Sequence, residues 1–384
     1  MNDCLIHICR DSVFNDLIIN HFEDLFPGKG RYILIDNLGE VSFHRPKKLE
    51  VLTRFQALKL LDDNRFFILH SLLNPSNIWF SAQFKSKHRV AWFSWGGDLP
   101  VENLQINYEP ISYQEFVNQT GKINGKEYLY KMLSFLPFIH KWYYFFRTKE
   151  HHLKYLKEMG LKKIDIVSTV LPAERILLDK IKGFRAEYIW FNYGHLEYIL
   201  GNFYSGEYSL GKGIYIGHSG FFENNHLDAF ETISKSDLNM SIYCPLAYGD
   251  PNCVDVIMKK GTSLFGNAIE FQTNIVGLDE YHKLLIKNHV MILNTIQQQG
   301  VGNLLIGLYL GMKVFLNKKG MLYSYCKSIN LIVCGLEDEF SLDNISEKLE
   351  YSKVEHNRKI LKDIYSKENV CNRTKYLIHK LLEN

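Results

Sequence analysis

The chain has 384 residues, of which 46% are hydrophobic and 14% aromatic, and its 45 Lys+Arg nearly balance its 42 Asp+Glu, for a formal net charge of +3. This length predicts two domains or one large one, and the apolar fraction excludes intrinsic disorder as the main state. With so small a net charge, the protein as a whole has no strong positive potential that would attract nucleic acid. The chain is rich in aromatic residues, with 23 Tyr, 25 Phe and 5 Trp. Aromatic rings, above all those of Tyr and Trp, are typical of sugar-stacking and membrane-interface surfaces.

Short β-rich runs alternate with stretches of helical spacing along most of the chain. This alternation predicts an α/β protein with parallel sheets covered on both faces. A polar, Gly-rich break at 193–212 separates two such units, and the periodic segment 354–382 is expected to be a helix that packs back on the first unit. Ten strands are predicted, at 32–35, 66–69, 90–93, 165–168, 187–191, 213–216, 241–244, 290–293, 313–316 and 331–334.

The chain shows no sign of secretion or of a membrane span. No apolar run approaches the roughly 18–20 residues that cross a bilayer, and the first residues lack a signal peptide's basic and apolar regions. The seven cysteines are scattered without a CxxC pair, so we expect reduced thiols and no zinc site. We therefore expect a cytoplasmic protein.

The run GKGIYIGHSGFFENNHLDAF contains a candidate anion-binding turn. A strand at 214–216 leads into the small residues of 217–220, and Asn224 or Asn225 is expected to cap the helix that follows. Backbone N–H groups at such a turn can approach a diphosphate, and the helix N-terminus adds partial positive charge. A tight turn also needs glycine for steric reasons alone, so the pattern leaves a purely structural role open.

A second turn of this kind lies in HVMILNTIQQQGVGNLLIGLYLG. Its strand leads to the polar loop 295–302, and Asn303 is expected to cap the next helix. Core packing gives no reason for three consecutive glutamines there, whereas two such turns suit a ligand with a phosphate end and a hydroxyl-rich end. A solvated connection is the alternative.

Three further loops follow predicted strands. In YCPLAYGDPN, Tyr243 and Tyr248 could stack on a base or a sugar ring. In the first unit, Asp98 is expected to be exposed on a Gly-Gly turn, with His70 and Asn74 close to a similar position. Parallel α/β sheets place their catalytic and ligand-binding residues at the carboxyl ends of the strands. Asp after Gly-Gly is also common in turns and at helix N-caps, so a structural role is the alternative.

Five collinear motifs resemble the bacterial 4-acetamido-4,6-dideoxygalactosyltransferases, the TDP-Fuc4NAc:lipid II transferases of glycosyltransferase family 56. The motifs are LHSLLNPSNIW, WFSWGGDL, IGHSGFFENNH, CPLAYGDPN and IQQQGVGNLLIGLYLGMKVFLN, and the resemblance spans about residues 1–350. The sequence departs from the family at His218, where the family usually has Asn, at Gly97 (Ala) and at Asn303 (Thr). It also has Phe221 and Phe222 where the family often has a basic residue. The donor sugar and the acceptor are therefore open to variation.

The resemblance implies a GT-B fold, with two Rossmann-like domains facing a cleft. It implies an N-terminal acceptor-binding domain at 1–195, a C-terminal TDP-sugar-binding domain at 205–352, and a C-terminal helix at 353–384.

The resemblance also implies the roles of the site residues. The expected diphosphate-binding residues are Gly217, Ser219, Gly220, Gln299, Gly300, Gly302 and Asn303. Those expected near the nucleoside and sugar are Tyr243, Pro245, Tyr248, Gln297, Gln298 and His218. Those expected at the acceptor are Asn74, Trp95 and Gly96.

Asp98 is the first candidate for a general base if the reaction inverts the anomeric centre, and His70 is the second. If the reaction retains configuration, Asp98 is expected to bind the acceptor; the sequence leaves both outcomes open. Helix N-termini can stabilise the charge that develops on the departing diphosphate. The chain contains no DxD motif, so we expect a metal-independent enzyme with no cofactor.

Residues 126–163 contain nine Lys/Arg and three Glu, with a dense aromatic run at 135–146. Such a segment can lie in the headgroup region of an anionic leaflet, although a helical hairpin would also need apolar faces. We expect peripheral contact with the cytoplasmic face of the bacterial inner membrane and no nucleic-acid partner.

The predicted function is transfer of a 4-amino-4,6-dideoxyhexose, Fuc4NAc in the resembling family, from a dTDP-sugar to a polyprenyl-diphosphate-linked saccharide. The pathway would be that of enterobacterial common antigen, O-antigen or capsule. The alternatives are a nucleotide-sugar epimerase of the same architecture and a non-catalytic nucleotide-sugar-binding assembly subunit.

Overall fold

The computed structural model describes residues 4–36, 45–99, 108–120, 153–236 and 240–383, and the chain folds as two compact units. Unit 1 comprises Met1–Pro100, Ile123–Gly194 and Val370–Asn384, and unit 2 comprises Val101–Lys122 and His195–Asn369.

Unit 1 contains a seven-stranded parallel sheet in the order β3-β2-β1-β4-β5-β6-β7. The central strands read as unbroken apolar runs because both faces of a parallel sheet are covered. The order reverses between β1 and β4, where the loops after these strands diverge and leave a crevice. The strands are β1 (Leu5–Cys9), β2 (Gly30–Ile35), β3 (Leu49–Leu52), β4 (Phe66–His70), β5 (Arg89–Phe93), β6 (Ile166–Ser168) and β7 (Glu187–Tyr188).

Unit 2 repeats this arrangement with six parallel strands in the order β10-β9-β8-β11-β12-β13. Its switch point lies between β8 and β11, so the two turns singled out from the sequence flank one crevice. The strands are β8 (Gly213–Ile216), β9 (Ile242–Pro245), β10 (Ile269–Gln272), β11 (Asn288–Leu293), β12 (Lys313–Leu316) and β13 (Cys334–Gly335).

Helices connect the strands and bury their apolar faces on the sheets. They are α1 (Asn15–Leu25), α2 (Arg54–Asp63), α3 (Pro75–Ser81), α4 (Pro110–Thr120), α5 (Leu153–Leu161), α6 (Arg175–Leu178), α7 (Leu196–Leu200), α8 (His226–Ser234), α9 (Pro251–Phe265), α10 (Leu278–Leu285), α11 (Val301–Leu310), α12 (Met321–Ser328), α13 (Leu336–Glu339), α14 (Leu342–Ser346), α15 (Tyr351–Tyr365) and α16 (Lys367–Leu382). Helix α11 is buried along almost its whole length, which explains its unbroken apolar sequence.

All ten predicted strand positions contain strands, although β7 and β13 are two residues each and shorter than expected. The sequence reading missed β1, β3 and β10. β3 and β10 are short strands at one edge of each sheet, where a half-exposed LEVL or IEFQ gives little apolar signal.

Two segments depart from the expected domain boundaries. Residues 108–120 lie within the expected first domain but belong to unit 2, where the Asp228 carboxylate accepts hydrogen bonds from the N–H groups of Ile111 and Ser112, both at 2.9 Å. The C-terminal segment is two helices that meet at Ser366 instead of one. Helix α15 belongs to unit 2, whereas α16 places Leu377 in the apolar core of unit 1.

No helix among the described residues is long and apolar enough to cross a bilayer. Of the basic aromatic segment 126–163, residues 126–152 lie outside the described residues, and the described remainder begins with α5.

Candidate functional site

Backbone hydrogen bonds join the loops after β8 and β9 beside the switch point of unit 2. The N–H of Gly220 donates to the Tyr248 carbonyl at 2.7 Å, and the N–H of Asp250 donates to the Gly220 carbonyl at 3.0 Å. A Cβ on Gly249 would strike the Gly220 backbone, and one on Gly220 would strike the Val254 side chain. Close packing of this turn against α9 and the loop before it therefore explains the glycine at position 220, as the steric alternative anticipated.

The turn at 217–220 is held from inside by Asn224. Its Oδ1 accepts the His218 N–H at 3.2 Å, and its Nδ2 donates to Ser219 Oγ at 3.0 Å. Gly217 has a φ of +72°, and a Cβ there would collide with the Nε2 of His226. The turn is thus rigid, and its glycine is needed both for backbone conformation and for the neighbouring ring.

Neither expected side-chain cap is present. Asn225 occupies the N-cap position of α8 without capping it, and its side chain instead donates to the Asn294 carbonyl at 2.9 Å. The N-cap of α11 is Gly300, with Asn303 one turn inside the helix. The Asn303 side chain joins the hydroxyls of Tyr215 and Tyr281 in a closed triangle of hydrogen bonds of 2.6–3.1 Å. The expectation that Asn303 caps the helix is therefore wrong.

Six buried polar atoms without a partner among the described residues lie in unit 2 on β9, at the start of α8 and on the loops after β8 and β11. Leaving such a group unpaired costs about 1–3 kcal/mol, so native proteins rarely do so without a ligand or water. Their residues are between 1% and 8% exposed. The atoms are His218 Nδ1, both ring nitrogens of His226, Tyr243 OH, Thr295 Oγ1 and Gln298 Oε1.

The N-terminus of α11 adds backbone donors to this cluster. Gly300 has a φ of +71°, and a Cβ there would lie 3.1 Å from His218 Nδ1, so the ring covers the helix start. Gly302 is exposed, and a Cβ there would find no atom within 4 Å. The first N–H groups of a helix have no intrahelical acceptor and favour an anion.

Burial keeps the ring groups at this site uncharged. It lowers the pKa of His218 to about 4 and that of His226 to about 3, the latter also through the charge of His218. Burial raises the pKa of Tyr248 to about 12 and also raises that of Tyr243. The site therefore offers hydrogen-bonding groups without fixed side-chain charge near pH 7.

The remaining predicted residues of unit 2 line the same region. Tyr248 is half-buried, and its ring centroid lies 6.5 Å from that of His218. Gln297 and Gln299 are also half-buried on the loop after β11, whereas Pro245 is buried as the last residue of β9. The fold thus brings the two predicted turns and the tyrosine loop to one edge of one sheet.

In unit 1, the expectation that Asp98 is exposed is wrong. The side chain is fully buried, and its two carboxylate oxygens accept four hydrogen bonds. The donors are Leu72 N–H (2.7 Å), Trp92 Nε1 (3.1 Å), Ser94 Oγ (2.6 Å) and Trp95 N–H (2.9 Å). The carboxylate ties the loop after β5 to the loop after β4, and its lone pairs are occupied.

His70, the second predicted base, is also fully buried. Its Nε2 lies 2.9 Å from His7 Nδ1, and its Nδ1 lies 2.5 Å from the Tyr193 hydroxyl. Burial, with the charge of His7, holds the pKa of His70 well below its usual range. His7 and Tyr193 were missed by sequence reasoning; a histidine inside the apolar run LIHIC was the one available signal.

The predicted acceptor residues lie on the loops after β4 and β5. Asn74 occupies the N-cap position of α3 without capping it, and its buried Oδ1 has no partner among the described residues. Trp95 is half-buried beneath the Arg10 guanidinium, 5.3 Å from its ring centroid. Gly96 has a φ of +82°, and Ser71 is held at a φ of +78°, a strained conformation typical of functional loops. Arg10 and Ser71 were not predicted.

Comparison with solved structures identifies the architecture. The chain is similar along 100% of its length to trehalose-6-phosphate synthase (TM-score 0.64, 7% identity, 99% of that chain). It is similar along 99% of its length to sucrose-phosphate synthase from Thermosynechococcus elongatus (TM-score 0.59, 9% identity, 99% of that chain). The fold is GT-B.

A further GT-B structure is from E. coli and is bound with UDP-2-fluoro glucose (TM-score 0.62, 7% identity, 99% of each chain). No protein-family model and no curated protein sequence matches the chain. The predicted fold class is thus confirmed. These identities establish the GT-B fold and leave the activity to be argued from the site.

Proposed function

We propose that the protein is a hexosyltransferase that binds a nucleoside-diphosphate sugar at the switch point of unit 2. The observation that carries this proposal is the cluster of unpartnered buried polar atoms beside the α11 N-terminus. A sugar nucleotide would supply the missing hydrogen-bond partners. The GT-B structure bound with UDP-2-fluoro glucose supports a donor of this chemical class.

The diphosphate is proposed to lie between the turn after β8 and the start of α11. A side chain at Gly302 would enter open space at the start of α11, whose first N–H groups have no intrahelical acceptor, and Gly217 allows the tight turn that carries Ser219. Fixed N–H donors stabilise the charge that develops as the diphosphate leaves. Gly220 and Asn303 have structural roles here, because the first packs on Gly249 and the second binds two tyrosines.

The nucleoside and the sugar are proposed to lie on either side of the diphosphate. Tyr243 and Tyr248, together with Pro245 at the end of β9, would provide aromatic and apolar surface for thymine. The amides of Gln297 and Gln298 provide donors and acceptors for hydroxyl or acetamido groups, and the Gln298 Oε1 has no other partner among the described residues.

The acceptor is proposed to bind at the corresponding edge of unit 1, near Asn74, Trp95 and Gly96. Because Asp98 already accepts four hydrogen bonds, we assign it the role of holding Trp95 and the 71–72 turn in place rather than of removing a proton. His70 is linked to the half-buried Tyr193 hydroxyl, which gives this edge a neutral hydrogen-bonded chain instead of an exposed carboxylate.

The finer assignment rests on the five sequence motifs. We propose that the donor is a dTDP-linked 4-amino-4,6-dideoxyhexose such as Fuc4NAc, transferred without a metal, and that the acceptor is a polyprenyl-diphosphate-linked saccharide at the cytoplasmic face of the inner membrane. The basic aromatic segment 126–163 supports membrane contact, since each basic residue contributes about 1 kcal/mol near an anionic surface.

The membrane proposal is tested by flotation with anionic liposomes. The protein should rise with the vesicles, and exchange of Lys141, Arg147, Lys149 and Lys154 together for Gln should leave it at the bottom. Flotation that survives the fourfold exchange would contradict a membrane role for this segment.

The donor proposal is tested by thermal denaturation in the presence of TDP-, UDP- and GDP-sugars. A ligand that binds only the folded state stabilises it by about 2.7 kcal/mol at a hundredfold excess over Kd, and by less at the same concentration when it binds more weakly. A TDP-sugar should therefore raise the Tm most, because we expect it to bind most tightly. Stabilisation by UDP- or GDP-sugars instead would change the assigned base. The absence of a shift with all three would contradict nucleotide-sugar binding.

A further inference from the structure

Among the described residues, the loops around the proposed donor site lack the cationic side chains that a diphosphate ordinarily meets. The loops at 217–226, 246–250 and 294–302 contain no Lys or Arg. The next loop, after β12, has Lys318 and Lys319, but Lys318 Nζ pairs with Asp338 at 2.8 Å and Lys319 Nζ pairs with Glu109 at 3.0 Å. Beyond the N–H groups at the start of α11, the two negative charges of a nucleotide sugar therefore need a cationic counterpart.

Two histidines occupy the place where such a counterpart would lie. His226 is the first residue of α8, and its Nε2 would lie 2.1 Å from a Cβ on Gly217. The ring of His218 covers Gly300 at the start of α11. Three of their four ring nitrogens, His218 Nδ1 and both of His226, are buried with no partner among the described residues.

The groups that face these rings are nearly all neutral. His226 lies near the ring of Phe230, with a centroid distance of 6.1 Å, and the only charge that acts on its pKa among the described residues is that of His218. His218 faces the Asn224 amide and the Tyr248 ring. No carboxylate of the described chain compensates a proton on either ring, so both stay neutral until an anion arrives.

We propose that His218 and His226 together form the cationic counterpart of the donor diphosphate and take up one proton from solvent when the nucleotide sugar binds. This inference rests on the proposed function and deepens it. Repulsion between the two rings limits the uptake to one proton. No covalent bond changes, and the buffer supplies the proton.

The sign of the resulting pH dependence follows from linkage. A bound diphosphate stabilises the protonated ring and so raises its pKa above the value in the free protein, which burial holds at about 4 for His218. Between the free and bound pKa values the complex holds one more proton than its components. Donor affinity should therefore fall about tenfold for each unit by which the pH rises in that window.

The test is calorimetric titration with TDP-glucose, whose diphosphate is doubly esterified and does not itself titrate near neutrality. Titrations in PIPES and in imidazole, buffers with different ionisation enthalpies, give the number of protons taken up. We expect an uptake of about one proton at about pH 6.5 in the wild-type protein. The double variant His218→Asn/His226→Gln should bind at least about tenfold more weakly with an uptake near zero.

A matched control is His289→Gln, which removes a buried histidine whose Nε2 contacts the Ile345 carbonyl at the opposite end of β11. It should keep wild-type proton uptake. The single variant His218→Asn serves if the double variant does not fold, and it should lower both uptake and affinity.

The outcomes separate this inference from the function on which it rests. Binding of TDP-glucose without proton uptake, or with wild-type uptake in the histidine variants, would overturn the histidine pair and leave the donor site standing. The absence of binding by TDP-, UDP- and GDP-sugars alike would overturn both.

Discussion

The two units place their strands in the same order around the switch point, but they differ in how the buried titratable side chains there are hydrogen-bonded. In unit 1, Asp98 accepts four hydrogen bonds, and His70 is bonded at both ring nitrogens. In unit 2, His226 has no partner at either nitrogen among the described residues, and His218 lacks one at Nδ1.

The difference concerns the buried titratable side chains: Asp98 and His70 are fully hydrogen-bonded, although Asn74 Oδ1 and Trp95 Nε1 beside them lack a partner among the described residues, whereas the two histidines of unit 2 are not. Buried groups that bond one another stabilise and order the loops that carry them, whereas buried groups left unpaired reduce stability until a ligand satisfies them. Asp98 therefore holds the loop that carries Trp95 in position, whereas a polar ligand at the unit 2 edge would gain hydrogen bonds that the described residues leave unmade.

Asp98→Asn should break the unit 1 edge and have the largest effect on stability. An amide cannot accept four hydrogen bonds, and its NH2 group would face two former donors. We expect a loss of about 2–4 kcal/mol in the free energy of unfolding, measured by urea denaturation. Unchanged stability with turnover at least about a hundredfold lower would restore Asp98 as the general base.

Gly302→Val should weaken donor binding at the unit 2 edge while leaving the fold intact. The added side chain enters open space at the start of α11, where the diphosphate is proposed to lie. We expect TDP-sugar affinity to fall at least about tenfold, or about 1.4 kcal/mol, with an unchanged Tm. Gly277→Val is the control, because that glycine also has open space at the start of a helix, after the edge strand β10. Equal affinity in both variants would move the diphosphate elsewhere.

Asn303→Ala separates the structural side chains of unit 2 from its ligand-binding ones. It should remove two hydrogen bonds of the triangle with Tyr215 and Tyr281 and cost about 1–2 kcal/mol of stability. Donor affinity should change less than threefold, because the backbone N–H of residue 303 remains. A large loss of affinity at constant stability would return the side chain to the diphosphate site.

Glu174→Gln tests whether the buried Glu174 carboxyl of unit 1 is protonated. Burial, with the nearby charge of Asp98, raises the pKa of Glu174 to about 8, so the folded protein holds its proton where the unfolded chain releases it. Wild-type stability should therefore fall as pH rises from about 4.5 to about 8, and the Gln variant should lack that fall. We expect the variant to be more stable by at least about 1 kcal/mol at pH 8, with no difference below pH 4.5. Parallel pH profiles of Tm would contradict a protonated Glu174.

The sequence predicted the layered α/β architecture and both turns of unit 2 because strand–helix alternation and glycine placement are local signals. The strand order brings the turns 217–220 and 295–302 to one crevice. This order could not be predicted from the sequence, because it depends on which distant strands pair. The burial of Asp98 was not predictable, since its donors include Leu72, 26 residues away. His226 stood inside a recognised motif, but its missing partners became visible only once its neighbours were placed.

The most direct test of the account is 15N NMR of histidine side chains with and without TDP-glucose. If the unit 2 edge binds the donor, the ring resonances of His218 and His226 should move toward those of the protonated form, and those of His7 and His70 should stay in place. Resonances that move in His7 and His70 instead would contradict the assignment of the donor site to unit 2, and resonances that stay unchanged in all four at saturating ligand would contradict the role of the histidine pair.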